Sequence, residues 1–273
     1  MMRLLTWNVQ WCRGVDGKVD PERIAAEARR IAEPDVACFQ EIASSFSDLA
    51  GSKGEDQPVV LWRALPQYEP VVGWAVDVPG PKDTRKRFGN MILSRLPVAR
   101  VLRHSLPWPA APDVPSMPRV AVEAIVQAPF GPVRVITTHL EYYSREHRAA
   151  QIARLAQVRL EAQAERKRVD EPGTYYSLPG PSSVILCGDF NLRPDDPLHR
   201  AILDIGFVDA WQALHPGEPH AHTFKLYERE EGESPYCCDF VFVTPDLAPR
   251  LASIRVDSEN QASDHQPVIV EFR

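Results

Sequence analysis

Apolar residues recur along the chain with two periods, and the change from one period to the other predicts strands and helices in mixed order. Continuous or alternating apolar runs predict strands at residues 3–9, 35–42, 89–95, 119–127, 133–140, 183–189, 237–243, 251–257 and 267–272. Apolar residues spaced three and four apart predict helices at residues 20–34, 144–168 and 194–206. Strands and helices therefore follow each other from end to end, which is typical of an α/β protein.

Local signals set several of these boundaries. Asp20 is placed to cap the first helix, Pro21 takes its first position, and Pro34 ends it. The segment "APFGP" joins the strands predicted on either side of it and indicates a hairpin. The prolines of residues 105–119 exclude a central strand or a helix from that segment.

No repeat, low-complexity segment or shift in composition divides the 273 residues. A chain of this length folds as one large domain or as two small ones. We therefore expect a single domain over residues 1–273, in which helices cover extended sheets.

Composition excludes several classes of protein. A net charge of −6 argues against a broadly basic surface, although a local basic groove for nucleic acid fits an acidic protein. The five cysteines contain no C-x-x-C pair, which argues against a disulfide framework and a structural zinc site. The first apolar run is too short for a signal peptide, and no run approaches the ~20 residues of a membrane span. We expect a cytoplasmic protein with no membrane contact and no obligate protein partner.

Acids, amides and imidazoles recur where the predicted strands begin or end. They are Asn8, Glu41, His139, Asp189, Asn191, Asp239, Asp264 and His265. Each alone has a simple structural explanation, as a turn residue, a helix cap or a half-buried histidine. Their recurrence favours one shared site, because strand ends on one edge of packed sheets converge in space.

The residue types indicate the chemistry of that site. Carboxylate and amide oxygens without cysteine favour a hard cation, Mg²⁺ or Mn²⁺, over zinc. A magnesium ion that keeps several waters, next to two histidines, suits attack of water on a phosphate ester. The expected substrate is therefore a phosphate ester.

Seven motifs, in this order and at these intervals, give the chain a family resemblance. They are "TWNVQ", "FQE", "GNMILSR", "TTHLE", "GDFN", "CDFVFV" and "SDHQPV". Together they resemble the endonuclease/exonuclease/phosphatase superfamily over nearly the whole chain. The resemblance implies a four-layer α/β sandwich like that of deoxyribonuclease I, with two packed mixed β-sheets flanked by helices.

The same resemblance assigns roles around the metal and the attacking water. It implies that Glu41 is the main metal ligand, with Asn8 beside it and Asp264 next to the ion. It implies that Asp189 orients or deprotonates the water, and that Asn191 binds a phosphoryl oxygen.

Further roles concern the phosphate. By resemblance, His265 acts as a general acid–base or a phosphate clamp and is held by Asp239, while His139 contacts the phosphate from the other side. Arg119 stands where family members often have a phosphate-binding arginine, with a solvated loop arginine as the alternative. The family's usual glutamate partner of the first histidine has no evident counterpart, and Asn90 is a candidate for that place.

Departures from particular subfamilies bear on the substrate. The chain lacks features of exonuclease III-like nucleases, inositol 5-phosphatases and secreted sphingomyelinases, while "TTHLE" followed by "HRAAQ" resembles tyrosyl-DNA phosphodiesterases. A phosphodiesterase or nuclease acting on DNA or RNA is therefore the favoured function. Alternatives are a phosphatase on a small or lipid-derived ester and a non-catalytic binding protein on the same fold. The basic residues 85–87 and Trp108 are each either substrate contacts or ordinary surface residues.

Overall fold

A computed structural model describes residues 1–81, 83–165, 180–227 and 231–273. The strands are β1 (Met2–Asn8), β2 (Val36–Ser44), β3 (Glu69–Pro79), β4 (Arg85–Ser94), β5 (Val98–Leu106), β6 (Arg119–Ala128), β7 (Gly131–His139), β8 (Val184–Asp189), β9 (Val208–Asp209), β10 (Asp239–Val243), β11 (Leu251–Val256) and β12 (Val268–Phe272). The helices are α1 (Pro21–Ile31), α2 (Gln57–Ala64), α3 (Arg145–Glu165), α4 (Pro197–Asp204) and α5 (Ala210–Leu214).

The strands form two six-stranded mixed sheets. The first has the order β11-β12-β1-β2-β4-β3 and the second the order β5-β6-β7-β8-β10-β9. Each sheet has one parallel pair near its middle, β1 with β2 and β7 with β8, and the neighbouring pairs are antiparallel. The parallel pairs bring the carboxyl ends of four strands to the region where the polar motif residues lie.

Two packed sheets flanked by helices confirm the expected fold class. Small apolar side chains from both sheets, such as Cys38, Val122 and Val135, interlock in a central core. A second core lies between the first sheet and α1 and α2, and a third lies between the second sheet and α3 and α4. The layers therefore run helix, sheet, sheet, helix.

Several elements differ from the sequence-based prediction. The strands β3, β5 and β9 and the helices α2 and α5 were not predicted. The long strands β3 and β5 lie at sheet edges, each beside a single neighbouring strand. In β5 arginines interrupt the apolar run, as solvent on one side permits, whereas residues 71–76 of β3 are apolar and were overlooked. The predicted end of the long helix, at residues 166–168, lies outside the described residues. No helix in the described parts of the chain combines the length and the apolar character that crossing a membrane requires.

Candidate active site

The predicted polar residues meet where β1, β2, β7, β8 and β10 approach one another. His139 pairs in register with Asp189 across the parallel strands β7 and β8, and Asp189 pairs with Asp239 across β8 and β10. Gly188 permits this arrangement, because a Cβ atom there would lie 2.0 Å from the Thr138 carbonyl oxygen and its φ is +132°. A side chain at position 188 would push β7 and β8 apart.

The sequence suggested that Glu41 ends a strand, but in the structure it lies within β2. The pairing of β2 with β4 shifts register between Phe39 and Ile42, so a bulge turns the Glu41 side chain towards the site. Glu41, Asn191 and Gln10 all have positive φ, at 60°, 50° and 46°. Left-handed backbone is costly for residues other than glycine and is concentrated at functional sites.

Asn8 joins the two central carboxylates. Its Nδ2 donates to Glu41 Oε1 at 3.0 Å and to Asp189 Oδ2 at 2.9 Å, and its Oδ1 accepts from the Gln10 backbone N–H. Burial raises the pKa of Glu41, and it raises that of Asp189 to about 6 against the charge of His265. The site therefore keeps two closely spaced carboxylates that are easier to protonate than exposed ones.

His265 is paired with Asp239. The two side chains meet through Nδ1 and Oδ2 at 2.9 Å, and Nε2 of the same imidazole lies 3.7 Å from Asp189 Oδ2. Burial would lower the pKa of His265, but the charges of Asp239 and Asp189 outweigh burial and raise it to about 10. His265 is thus a buried cation at neutral pH.

His139 carries the opposite protonation state. Its Nε2 lies 3.5 Å from Asp189 Oδ2 and 3.9 Å from Glu41 Oε1. Burial, followed by the charges of Arg119 and His265, holds its pKa well below the usual value. Asp189 therefore lies between a neutral and a charged imidazole.

Arg119 contacts Glu141, a residue that was not predicted to belong to the site. Its Nε lies 3.4 Å from Oε2 of the fully buried Glu141, while Nη1 is buried without a hydrogen-bond partner. A buried guanidinium N–H without a partner is costly unless a ligand accepts from it. The available signal for Glu141 was an acid two residues after His139, where the strand pattern has already ended.

The "GDFN" segment divides its side chains between the core and the site. Phe190 is buried in the core beneath the second sheet, with Phe242 at a ring-centroid distance of 5.1 Å. The Asn191 backbone N–H donates to Asp189 Oδ1 at 2.8 Å, and its amide donates to the Leu140 carbonyl at 2.9 Å. The amide of Asn191 is therefore oriented by protein, with one N–H left for another acceptor.

Asp264 is linked to Asn8 through Gln10. Its Oδ2 accepts from Gln10 Nε2 at 2.8 Å, and Gln10 bonds through its backbone to Asn8. Gln10 was not among the residues predicted to form the site. Asn90 is buried, and its amide donates to the Val120 carbonyl at 2.8 Å. Among the described residues, Glu41 and Asp189 are the acids within 4 Å of the His139 imidazole, while Asn90 is hydrogen-bonded to Val120.

The donor set fits a hard divalent cation. Glu41 and Asp189 present two carboxylate oxygens to one Asn8 amide, and oxygen donors of this kind suit Mg²⁺ and Mn²⁺. Cys238, Asp189 and His265 also place ligand atoms within 4.8 Å of one another. Burial raises the pKa of the Cys238 thiol well above its usual value.

Comparison with protein families gives a match over nearly the whole chain. The family described as Endonuclease/Exonuclease/phosphatase family matches residues 5–265. Among curated proteins, nocturnin of Drosophila melanogaster is 28% identical over 128 residues, which are 34% of this chain and 20% of nocturnin. The matched region is thus a fifth of the length of that relative.

Solved structures share the fold. An endonuclease/exonuclease/phosphatase from Beutenbergia cavernae covers 100% of this chain and 71% of its own, with 24% identity and a TM-score of 0.72. The 3′ phosphatase NExo from Neisseria, bound to product DNA hairpin, covers 100% of both chains, with 22% identity and a TM-score of 0.63. Truncated Caenorhabditis elegans TDP2 covers 99% of this chain and 96% of its own, with 17% identity and a TM-score of 0.65.

Proposed function

Because the chain belongs to the endonuclease/exonuclease/phosphatase family, whose members are hydrolases of phosphate esters, we propose that it is a metal-dependent phosphodiesterase that cleaves nucleic acid by attack of water. One observation carries the proposal. The buried carboxylate of Asp189 lies 3.5 Å from the neutral imidazole of His139 and 3.7 Å from the cationic imidazole of His265. Such a group can take a proton from water while positive charge is held beside it.

Asp189 is the residue placed to orient the nucleophile. With a pKa of about 6 it is ionised at neutral pH, yet it is a stronger base than an exposed aspartate. Asn8 and the Asn191 backbone N–H occupy one site on each carboxylate oxygen and so fix its plane. A fixed carboxylate that faces an attacking water contributes about 10²–10⁴ to the rate in typical enzymes.

Positive charge and N–H donors surround the space beside Asp189. His265 is held as a cation by Asp239, and Arg119 presents a buried Nη1 without a protein acceptor. Both can donate to phosphoryl oxygens as negative charge develops on them, as can the remaining N–H of Asn191. Neutral His139 offers either a donor or an acceptor to the same phosphate.

A divalent cation completes this proposal. Glu41 would hold it, with Asp189 and Asn8 adjacent, and the bound ion would offset negative charge on the phosphate. Asn8 in this structure orients its N–H₂ towards both carboxylates, so it fixes their positions while its oxygen accepts from Gln10. Asp264 would act on the site through its hydrogen bond with Gln10.

Nucleic acid is proposed as the substrate from two lines of support. The Neisseria neighbour was solved with a product DNA hairpin, and the "TTHLE" segment resembles that of tyrosyl-DNA phosphodiesterases. A phosphatase that acts on a small or lipid-derived ester remains the competing assignment, because the residues around Asp189 recognise a phosphate and not the rest of the molecule.

The test is hydrolysis of single-stranded and duplex DNA, RNA, nucleotides, inositol phosphates and phospholipids, with Mg²⁺, Mn²⁺ or a chelator. We expect cation-dependent cleavage of nucleic acid that Asp189→Asn abolishes. Asp246→Asn is the matched control, since this carboxylate binds Ser183 outside the site. Cation-dependent hydrolysis of a non-nucleotide ester alone would reject the substrate assignment, and no hydrolysis of any substrate would reject the enzyme assignment.

A further inference from the structure

Two tyrosines follow the site residues at the end of β7. Tyr142 and Tyr143 are 45% and 61% exposed, in a protein that buries most of its large apolar side chains. Their rings meet edge to face, with centroids 5.0 Å apart and planes at 88°. This tyrosine pair takes no part in the hydrolytic arrangement described above.

The backbone of the tyrosine pair is firmly held. The Tyr143 N–H donates to Oε1 of the buried Glu141 at 2.9 Å. Arg148 donates from Nη1 to the carbonyls of Glu141 and Tyr142 at 2.8 and 2.7 Å. Exposed rings on a fixed backbone lose little conformational entropy when they bind a flat partner.

The same carboxylate connects the tyrosine pair to the phosphate-facing arginine. Glu141 Oε2 contacts Arg119, whose Nη1 is unpartnered, while Glu141 Oε1 holds Tyr143. A phosphate on Arg119 would therefore lie near the segment that carries the two exposed rings. A nucleotide has this layout, with an anionic group and a planar aromatic base a few bonds apart.

A second aromatic group borders the same region. Arg193, in the segment after "GDFN", stacks on the ring of Tyr236 at 4.0 Å. The Tyr236 ring also meets Phe224 at a centroid distance of 5.4 Å, and Phe224 meets the His265 imidazole at 4.4 Å, so Tyr236 borders the site. An arginine stacked on a ring beside exposed tyrosines suits a polyanion that carries bases.

We propose that Tyr142 and Tyr143 form a nucleobase subsite, on which a base next to the scissile phosphate of a single-stranded nucleic acid stacks. The proposal rests on the proposed function and names its substrate class more closely. Stacking on an aromatic side chain tolerates every base, so the subsite would select for unpaired nucleotides and not for a sequence.

Two esters with one leaving group separate this subsite from the hydrolytic site. Thymidine 5′-(p-nitrophenyl phosphate) carries a base, and methyl p-nitrophenyl phosphate does not. The measurement is the ratio of kcat/KM for the first ester to that for the second. In a Tyr142→Ser, Tyr143→Ser double variant we expect this ratio to fall about 5- to 100-fold, the range that loss of one stacked base gives.

Two controls identify the cause. The double phenylalanine variant keeps both rings and should keep the ratio, and Trp62→Ser, at a 44% exposed tryptophan on α2, should leave it unchanged. The subsite is overturned if the kcat/KM ratio is unchanged in the double serine variant. It is also overturned if the ratio falls as much in the double phenylalanine variant as in the double serine variant.

A binding measurement without hydrolysis keeps the two proposals apart. Anisotropy of a labelled oligothymidylate, measured with a chelator present, should show weaker binding by the double serine variant than by the wild type. If the wild type hydrolyses neither these esters nor any substrate of the panel given under the proposed function, the proposed function fails while this measurement still decides the subsite. Equal oligonucleotide binding, with binding to phosphatidylserine vesicles lost only in the serine variant, would instead assign the tyrosines to a lipid surface and overturn the proposal.

Discussion

Asn8 Nδ2 lies 2.9 Å from Asp189 Oδ2, so that the last residue of a strand in one sheet holds the last residue of a strand in the other. The same amide holds Glu41 at 3.0 Å. Two carboxylates are thereby kept together in a buried site, where repulsion and loss of hydration would otherwise favour protonation of one of them.

Replacement of Asn8 should change the pH dependence of activity. Asn8→Ala removes a hydrogen bond that favours the charged form of Asp189, so the pKa of Asp189 rises above about 6. We expect the acidic limb of the kcat/KM profile to move up by about one pH unit. Asn260→Ala is the matched control, because this buried amide donates to Glu27 outside the site. A limb that shifts equally in both variants would contradict the assignment.

Glu41 is predicted to set the metal requirement. Glu41→Gln keeps the shape of the side chain but removes its charge, and a hard cation binds a neutral amide less strongly than a carboxylate. The concentration of Mg²⁺ or Mn²⁺ that gives half-maximal activity should rise at least ~10-fold, while the thermal unfolding midpoint without added metal stays close to that of the wild type. An unchanged metal requirement would remove Glu41 from the ligand set.

Asp239 and His265 should behave as one unit. We expect Asp239→Asn and His265→Ala to lose similar activity and the double variant to be little worse, because each side chain acts through the other. The imidazole pKa, measured by NMR on metal-free protein, should fall from about 10 towards the ordinary value in Asp239→Asn. Additive losses in activity would show that the two residues work separately.

The "GDFN" segment predicts an order of activities. Asp189→Asn should lower kcat by about 10²–10⁴, as expected for loss of a positioned base. Asn191→Ala should cost about 10²–10³, like loss of an oxyanion donor. Asn191→Asp should be worse than alanine, since it sets a negative charge beside Asp189, the Leu140 carbonyl and the substrate phosphate. Steady-state kinetics at neutral pH tests this order, and an aspartate variant more active than the alanine variant would refute it.

Asp209 is predicted to contribute stability that depends on pH. Its Oδ2 accepts from His199 and His220 at 2.8 and 2.9 Å, and these bonds outweigh burial and lower its pKa to about 2. The charged carboxylate therefore stabilises the fold above about pH 4, and this contribution is lost as pH falls through 2.

Asp209→Asn isolates that contribution, because asparagine can still cap α5. A shift of nearly two pKa units corresponds to about 2 kcal/mol of unfolding free energy. Urea unfolding at neutral pH should show the variant less stable than the wild type by about this amount, with the difference shrinking at pH values approaching 2. If the difference in unfolding free energy between the variant and the wild type grew as the pH was lowered, this mechanism would be contradicted.

The sequence by itself determined the strands that carry the site and the residue types at their ends. A buried strand such as β8 is recognisable because both of its faces are covered and its first four positions form an unbroken apolar run. A polar residue that ends such a run is therefore visible without coordinates. The edge strand β5 escaped prediction because solvent on one side permits arginines within it.

Only the tertiary structure decided how these residues act on one another. His139 and His265 are both buried, which disfavours a charged imidazole, yet one is neutral and the other cationic. Arg119 adds to the effect of burial at His139, while Asp239 outweighs it at His265. Glu141 gains its role from a strand partner twenty-two positions earlier in the chain. Protonation and orientation depend on burial and on charges brought together from distant segments, and such proximity is set by sheet register and packing, which no local pattern in the sequence records.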